Sequence, residues 1–174
     1  MLVSDVLGQY RLLARSSTLW NRNLCMATTQ WRSNEDALID HVYRTLQHML
    51  AGDEIWMSRL QGNDPILASL EPEMGVKCLD DFWFQRTSGD ENIEKQLSTF
   101  NALDLNELIC YRDFKGNLRR DPVGICVARL LNHQQHHQWT IVCRTEAKAS
   151  VLSLHNSPEN TITANRFWNC RHYF

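Results

Sequence analysis

Between Arg129 and Thr140 the chain reads RLLNHQQHHQWT, which places three imidazoles, His133, His136 and His137, within five positions. On an α-helix, at about 100° per residue, His133 and His137 lie about 40° apart on one face. Val123, Cys126, Leu130 and Ile141 fall within about 40° of the same direction, so the pair points into an apolar face. His136 lies about 100° away, at the edge of that face. An i, i+4 pair brings two ring nitrogens within reach of one metal ion. The segment is not an H-E-x-x-H site: Gln134 and Gln135 fill the middle, and the general base of that protease motif is missing. Two neutral, hydrogen-bonded histidines in a core, or histidines on a wet surface, are the alternative reading. Against it stands the cost of turning two unpaired polar rings into an apolar face. Cys126 shares the face about two turns before His133 and reads as a small core residue rather than a ligand.

A third histidine is available from an earlier segment, RTLQHMLAGDEIW. His48 shares a helical strip with His41, Thr45, Gly52 and Ile55, beside the main apolar stripe, so its ring would enter a bundle from the edge. Gly52, one turn on, leaves room beside the ring for a metal and its water. A solvated helix face is the competing reading of His48 and the one adopted for His41. Asp53 is placed to orient a ligand or relay a proton, and Trp56 and Arg59 follow as candidate substrate contacts. Surface charge pairing is the alternative for Asp53, Glu54 and Arg59. Three imidazoles without a carboxylate favour a divalent metal such as zinc or nickel over Mg²⁺ or Ca²⁺. Three protein ligands leave a position open, where a bound water or thiol gives up its proton more readily.

The elements that must carry these residues follow from apolar periodicity. Leu7, Tyr10, Leu13, Trp20 and Leu24 predict a helix over roughly Ser4 to Thr28. Ser33, Asn34 and Asp36 offer caps for a second, from about Asp36 to Leu60, with Leu38, Val42, Met49, Trp56 and Leu60 as its stripe. GNDPILASLEP is a turn-rich connection, long enough for a crossover. A third helix is expected from about Glu91 to Leu103, after SGDEN, and a small hairpin within ELICYRDFKGNLRR. Asp121-Pro122 reads as N-cap and first position of a fourth helix reaching about Lys148. In the tail from Ser157 a short helix or strap around Ala164 to Trp168 is conceivable. The expected architecture is one all-α domain over residues 1–174, a four-helix bundle with a β-hairpin inserted before the fourth helix. An α+β domain with a larger sheet is the runner-up.

Composition narrows the function classes. The chain has 174 residues, 43% hydrophobic and 22% charged, with a formal net charge of −2. That balance does not suit an electrostatic nucleic-acid binder. No stretch approaches the ~20 apolar residues of a membrane span. The opening MLVSDVLGQYRLL, with Asp5, has no long apolar run, so no signal peptide is expected. Six cysteines without a C-x-x-C pair read as reduced thiols, which implies a cytoplasmic protein.

Three motifs in order resemble those of the DinB-like family. TLQHMLAGDEIWMSRLQG is similar to the family's second-helix pattern L-x-H-x-x-x-x-D-x-x-W-x-x-R; YRDFKGN fits its Y-x-D-x-x-G turn; RLLNHQQHH looks like its fourth-helix N-H-x-x-H-H. The resemblance spans roughly residues 10 to 138. It implies an up-down-down-up connection and a divalent metal, zinc or nickel, held by His48, His133 and His137. It further implies a thiol S-transferase or related hydrolase that uses a low-molecular-weight thiol, and a homodimer. The chain departs from the pattern after His137: Gln138 and Trp139 stand where the family has Arg and Gly, and the bulk of Trp139 is expected to alter helix packing. The competing expectation is a non-catalytic, metal-binding stress-response or interaction protein. A nucleic-acid role has little support beyond Arg119-Arg120.

Overall fold

The computed structural model describes residues 2–30, 37–63 and 79–155. Four helices carry the fold: α1 (Leu2–Gln30), α2 (Ala37–Leu60), α3 (Leu79–Thr99) and α4 (Val123–His155). Between α3 and α4 lie a 3-10 turn, Asp104–Asn106, and an antiparallel hairpin of β1 (Leu108–Arg112) and β2 (Leu118–Pro122). The segments 64–78 and 156–174, which hold most of the predicted connection and all of the tail, lie outside the described residues.

Side-chain contacts fix the helix directions. Arg11 donates to the Leu97 carbonyl, Thr18 to Glu94 and Asn21 to Asp90, so α1 and α3 are antiparallel. Along α2 and α4, His48 meets His137, and Trp56 meets Arg129, so these two are antiparallel as well. Tyr10 reaches the Gly124 carbonyl and Ser17 meets Gln138, which makes α1 and α4 parallel. Tyr43 packs on Phe82 and Asp53 pairs with Arg86, which makes α2 and α3 parallel. The connection is therefore up-down-down-up.

The core is two apolar clusters separated by a polar layer. Leu7, Met57, Leu97, Val127 and Leu130 belong to one cluster; Leu24, Val42, Leu46, Phe82 and Ile141 belong to the other. Between them each helix contributes buried polar groups: Ser17 and Asn21, Asp53, Arg86 and Asp90, Gln134 and Gln138. These close into a ring. Gln138 donates to Ser17 Oγ at 2.6 Å and Asn21 Oδ1 at 3.1 Å, and Asn21 donates to Asp90. Arg86 binds Asp90 at 2.6 Å and Asp53 at 2.7 Å. Gln134 donates to Asp53 Oδ2 at 2.8 Å, and Gln134 and Gln138 are one turn apart on α4. Buried charges of this kind are tolerated because each is paired and hydrogen-bonded.

This layer explains where the structure departs from expectation. Helix α3 starts at Leu79, well before Glu91, and runs straight through SGDEN. Phe82, Arg86, Asp90, Ile93 and Leu97 form its buried face. Two of those positions are charged, so the apolar periodicity breaks where the helix does not. Gly89 sits at a close crossing: a Cβ there would lie 3.3 Å from Leu50 Cδ1. Helix α4 starts at Val123 rather than at Pro122, which is the last residue of β2 and pairs with Leu108. Asp121 is not its cap, because its carboxylate accepts from Tyr111 and Arg129; the Val123 amide bonds the Glu107 carbonyl instead. The helix also extends past Lys148 to His155. The hairpin turns where D-x-x-G placed it: Asp113 Oδ1 accepts from the amides of Lys115 and Asn117, and Gly116 takes φ +79°. Trp139 is 67% exposed, so its bulk meets solvent and does not alter helix packing.

Arg86 neutralises two buried carboxylates at once, so replacing it with Met should cost about 3–5 kcal/mol. Urea unfolding should show a lowered midpoint for Arg86→Met; a midpoint within error of the parent would mean that the polar layer contributes little.

Candidate metal centre

Helices α2 and α4 place three half-buried imidazoles together. His48 comes from the middle of α2 and His133 and His137 from successive turns of α4. One ligand nitrogen from each lies within 4.8 Å of the others. The Nε2 atoms of His133 and His48 are 3.3 Å apart. Two nitrogens on a tetrahedral zinc, at about 2.0–2.1 Å each, are about 3.3 Å apart, so this pair already has the spacing of two ligands on one ion. Ring centroids are 4.6 Å apart for His48–His137 and for His133–His137, and 5.2 Å for His48–His133. His136 is exposed at the edge, its ring 5.0 Å from that of His137.

Burial lowers the pKa of His133 to about 4, helped by the nearby His48 and His136. Burial likewise lowers His137 to about 3, helped by His133, His48 and His136. Both rings are neutral at neutral pH, the form that binds a metal. Three converging imidazoles without a carboxylate fit a borderline divalent ion.

Gly52 has a different use from the one expected. The space beside it is filled by the His133 ring: a Cβ on Gly52 would lie 2.8 Å from His133 Nδ1, closer than side chains approach. That nitrogen is buried without a hydrogen-bond partner, so Nε2 is the atom turned toward His48. The glycine is what lets α4 lay an imidazole flat against α2.

Asp53 is buried, and among the described residues its polar partners are Arg86 and Gln134, not the imidazoles. Burial pushes its carboxyl up to about 6 against the opposing pull of Arg86. Its second oxygen, Oδ1, has no partner. Trp56 and Arg59 lie farther along α2, toward the hairpin. Arg59 is 5% exposed, its guanidinium 4.7 Å from the Trp56 ring centroid and 4.6 Å from that of Tyr111. It donates to the Arg112 carbonyl and so holds the hairpin against α2. Cys126 is fully buried, and burial raises its thiol to about 11, which fits an inert core residue.

Sequence reasoning did not single out the Tyr111–Asp121–Arg129 group beside the centre. Arg129 donates to Asp121 at 2.7 Å and to the Tyr111 hydroxyl at 2.8 Å. The signal was present, since Arg129 stands one helical turn before His133 in the stretch that holds the histidines. Among the described residues no helix is long and apolar enough to cross a membrane. No protein-family model matches the chain, nor does any curated protein or solved structure.

Two outcomes are expected. Gly52→Ala should displace the His133 ring, weakening zinc binding by at least about tenfold and costing about 1–3 kcal/mol of stability. Competition with a chelating dye and thermal melts measure both, and unchanged affinity would mean that the ring is free to move aside. The pH dependence has a definite sign. With folded-state pKa values below 6.5, His133 and His137 stabilise the metal-free fold fully above about pH 6.5, and that contribution is lost as pH falls through about 4. Asp53, raised to about 6, acts oppositely: its contribution is lost as pH rises through about 6. Ring-proton NMR of metal-free protein separates them. His133 and His137 should keep neutral-form shifts at pH 5, and titration near 6.5 would contradict the placement of these rings.

Proposed function

We propose that the chain is a divalent-metal-dependent enzyme of the DinB-like type, a thiol S-transferase or related hydrolase. Its ligands are His48, His133 and His137, and zinc or nickel is the ion that suits them. The observation that carries this reading is the convergence of three imidazoles from two helices, with donor atoms within 4.8 Å. Three motifs at the family's spacing add to it: L-x-H-x-x-x-x-D-x-x-W-x-x-R, Y-x-D-x-x-G and N-H-x-x-H-H.

When bound, such an ion lowers the pKa of a thiol or water at its open position. The chain's residues do the rest. His133 and His137, kept neutral by burial, remain available as donors. Asp53 bears on the centre through Gln134, the neighbour of His133, and so fixes the rotation of α4. Trp56 and Arg59 close the seam between α2 and the hairpin. A low-molecular-weight thiol is the natural co-substrate, and a homodimer in the cytoplasm is part of the same reading. The unbridged Cys110, Cys126 and Cys143 suit a reducing compartment.

Elemental analysis of purified protein should find about one zinc or nickel per chain, and His48→Ala should lose it while keeping its helical circular dichroism. Conjugation of bacillithiol, mycothiol or glutathione to an electrophile should require that metal. Metal retained in His48→Ala would remove the third ligand. Inactivity with every thiol, together with a cobalt spectrum indifferent to added thiol, would leave a non-catalytic metal protein.

A further inference from the structure

The seam between α2 and α4 has three successive levels. His48 faces His137, Gly52 receives His133, and Trp56 faces Arg129, whose Cζ is 5.9 Å from the indole centroid. Arg129 is therefore one turn of α4 from His133, about 6 Å along the axis, and on the same seam. Its side chain is 41% exposed.

The guanidinium has five N–H donors. Its hydrogen bonds among the described residues all leave from Nη1, one to Asp121 Oδ2 and one to the Tyr111 hydroxyl. Those two bonds hold the group in place through Nη1 alone. Nη2 and Nε remain, the two parallel donors that a carboxylate accepts in bidentate fashion. Other cations lie close enough to be felt. Arg59 acts on Arg129 as a second positive charge, and Arg119 acts on Asp113 and Asp121. Among the described residues the buried Nε of Arg59 has no hydrogen-bond partner either.

The geometry points to an anion subsite at Arg129 and Trp56, which takes the carboxylate of a small thiol whose sulfur reaches the histidine centre. The aliphatic part of such a ligand lies along the Trp56 ring. This inference rests on the metal reading above and names its substrate class: a thiol bearing a carboxylate a few bonds from sulfur. Arg129 is a binding residue here, not a ligand of the ion, and Asp121 and Tyr111 position it.

The test uses the full chain loaded with Co²⁺, titrated with 3-mercaptopropionate and with its neutral isostere 3-mercaptopropionamide, and followed by the sulfur-to-cobalt absorption band. The parent protein should be half-saturated at least about tenfold lower in the carboxylate than in the amide. Arg129→Gln should bind the same amount of Co²⁺ and lose that preference. A preference that persists in Arg129→Gln reports chelation of the ion by the carboxylate and overturns the subsite, as does a parent protein that treats the two thiols alike. Should Arg129→Gln fail to fold, Arg129→Lys decides. A point charge in place of the fork should reduce the preference several-fold, and an unchanged preference overturns the bidentate assignment. Failure of the parent to bind Co²⁺ removes the metal reading and the subsite together; Co²⁺ bound without carboxylate preference removes the subsite alone.

Discussion

The placement of Arg86 between Asp53 and Asp90 is the constraint on which the bundle depends. A guanidinium that is 1% exposed has to find its anions inside the fold, and it finds one on a neighbouring helix and one on its own. Desolvation makes any other arrangement expensive. Asn21 and Gln138 extend the pairing to α1 and α4, and Gln134 returns it to Asp53. Apolar contacts above and below are non-directional and would accept a helix shifted by a turn. The ring of hydrogen bonds and ion pairs would not, because Asn21, Gln134 and Gln138 each meet their acceptors at one height only. This ring sets the axial register of four helices, and register decides which residues of α2 and α4 meet.

The imidazole centre inherits that register. Gln134 and Gln138 alternate with His133 and His137 along α4, so the residues that lock the helix inward and those that present nitrogens to α2 are immediate neighbours. Gly52 completes the fit by removing the one side chain that would hold α4 off. Toward the hairpin the same seam continues as Trp56, Arg59, Tyr111 and Arg129, an aromatic and cationic wall beside the histidine group. The chemistry open to the site therefore changes along one groove within two helical turns.

Much of this was legible in the sequence. The face shared by His133 and His137 with Val123, Cys126, Leu130 and Ile141 is readable from spacing, and those four apolar neighbours are indeed buried. The four helices and the hairpin follow from apolar periodicity and the Asp113–Gly116 turn. What stayed hidden is what periodicity does not encode. Arg86 and Asp90 occupy core positions with charged side chains, so apolar periodicity places the start of the third helix near Glu91 rather than at Leu79. Asp121-Pro122 has the composition of a helix start, yet Asp121 is drawn to Tyr111 and Arg129 from elsewhere in the fold. The role of Gly52 depends on the partner helix, which no local pattern describes. Arg129 was in plain view, but its neighbours Trp56 and Asp121 come from separate elements.

The two helices that share the histidines are far apart in the chain: His48 and His133 are separated by 85 residues. During synthesis the first imidazole emerges long before the other two. Among the described residues α1 and α3 add no member to the group, so the three imidazoles come together only once α4 has docked. A product truncated before α4 would carry one of the three imidazoles and lack the two that face it.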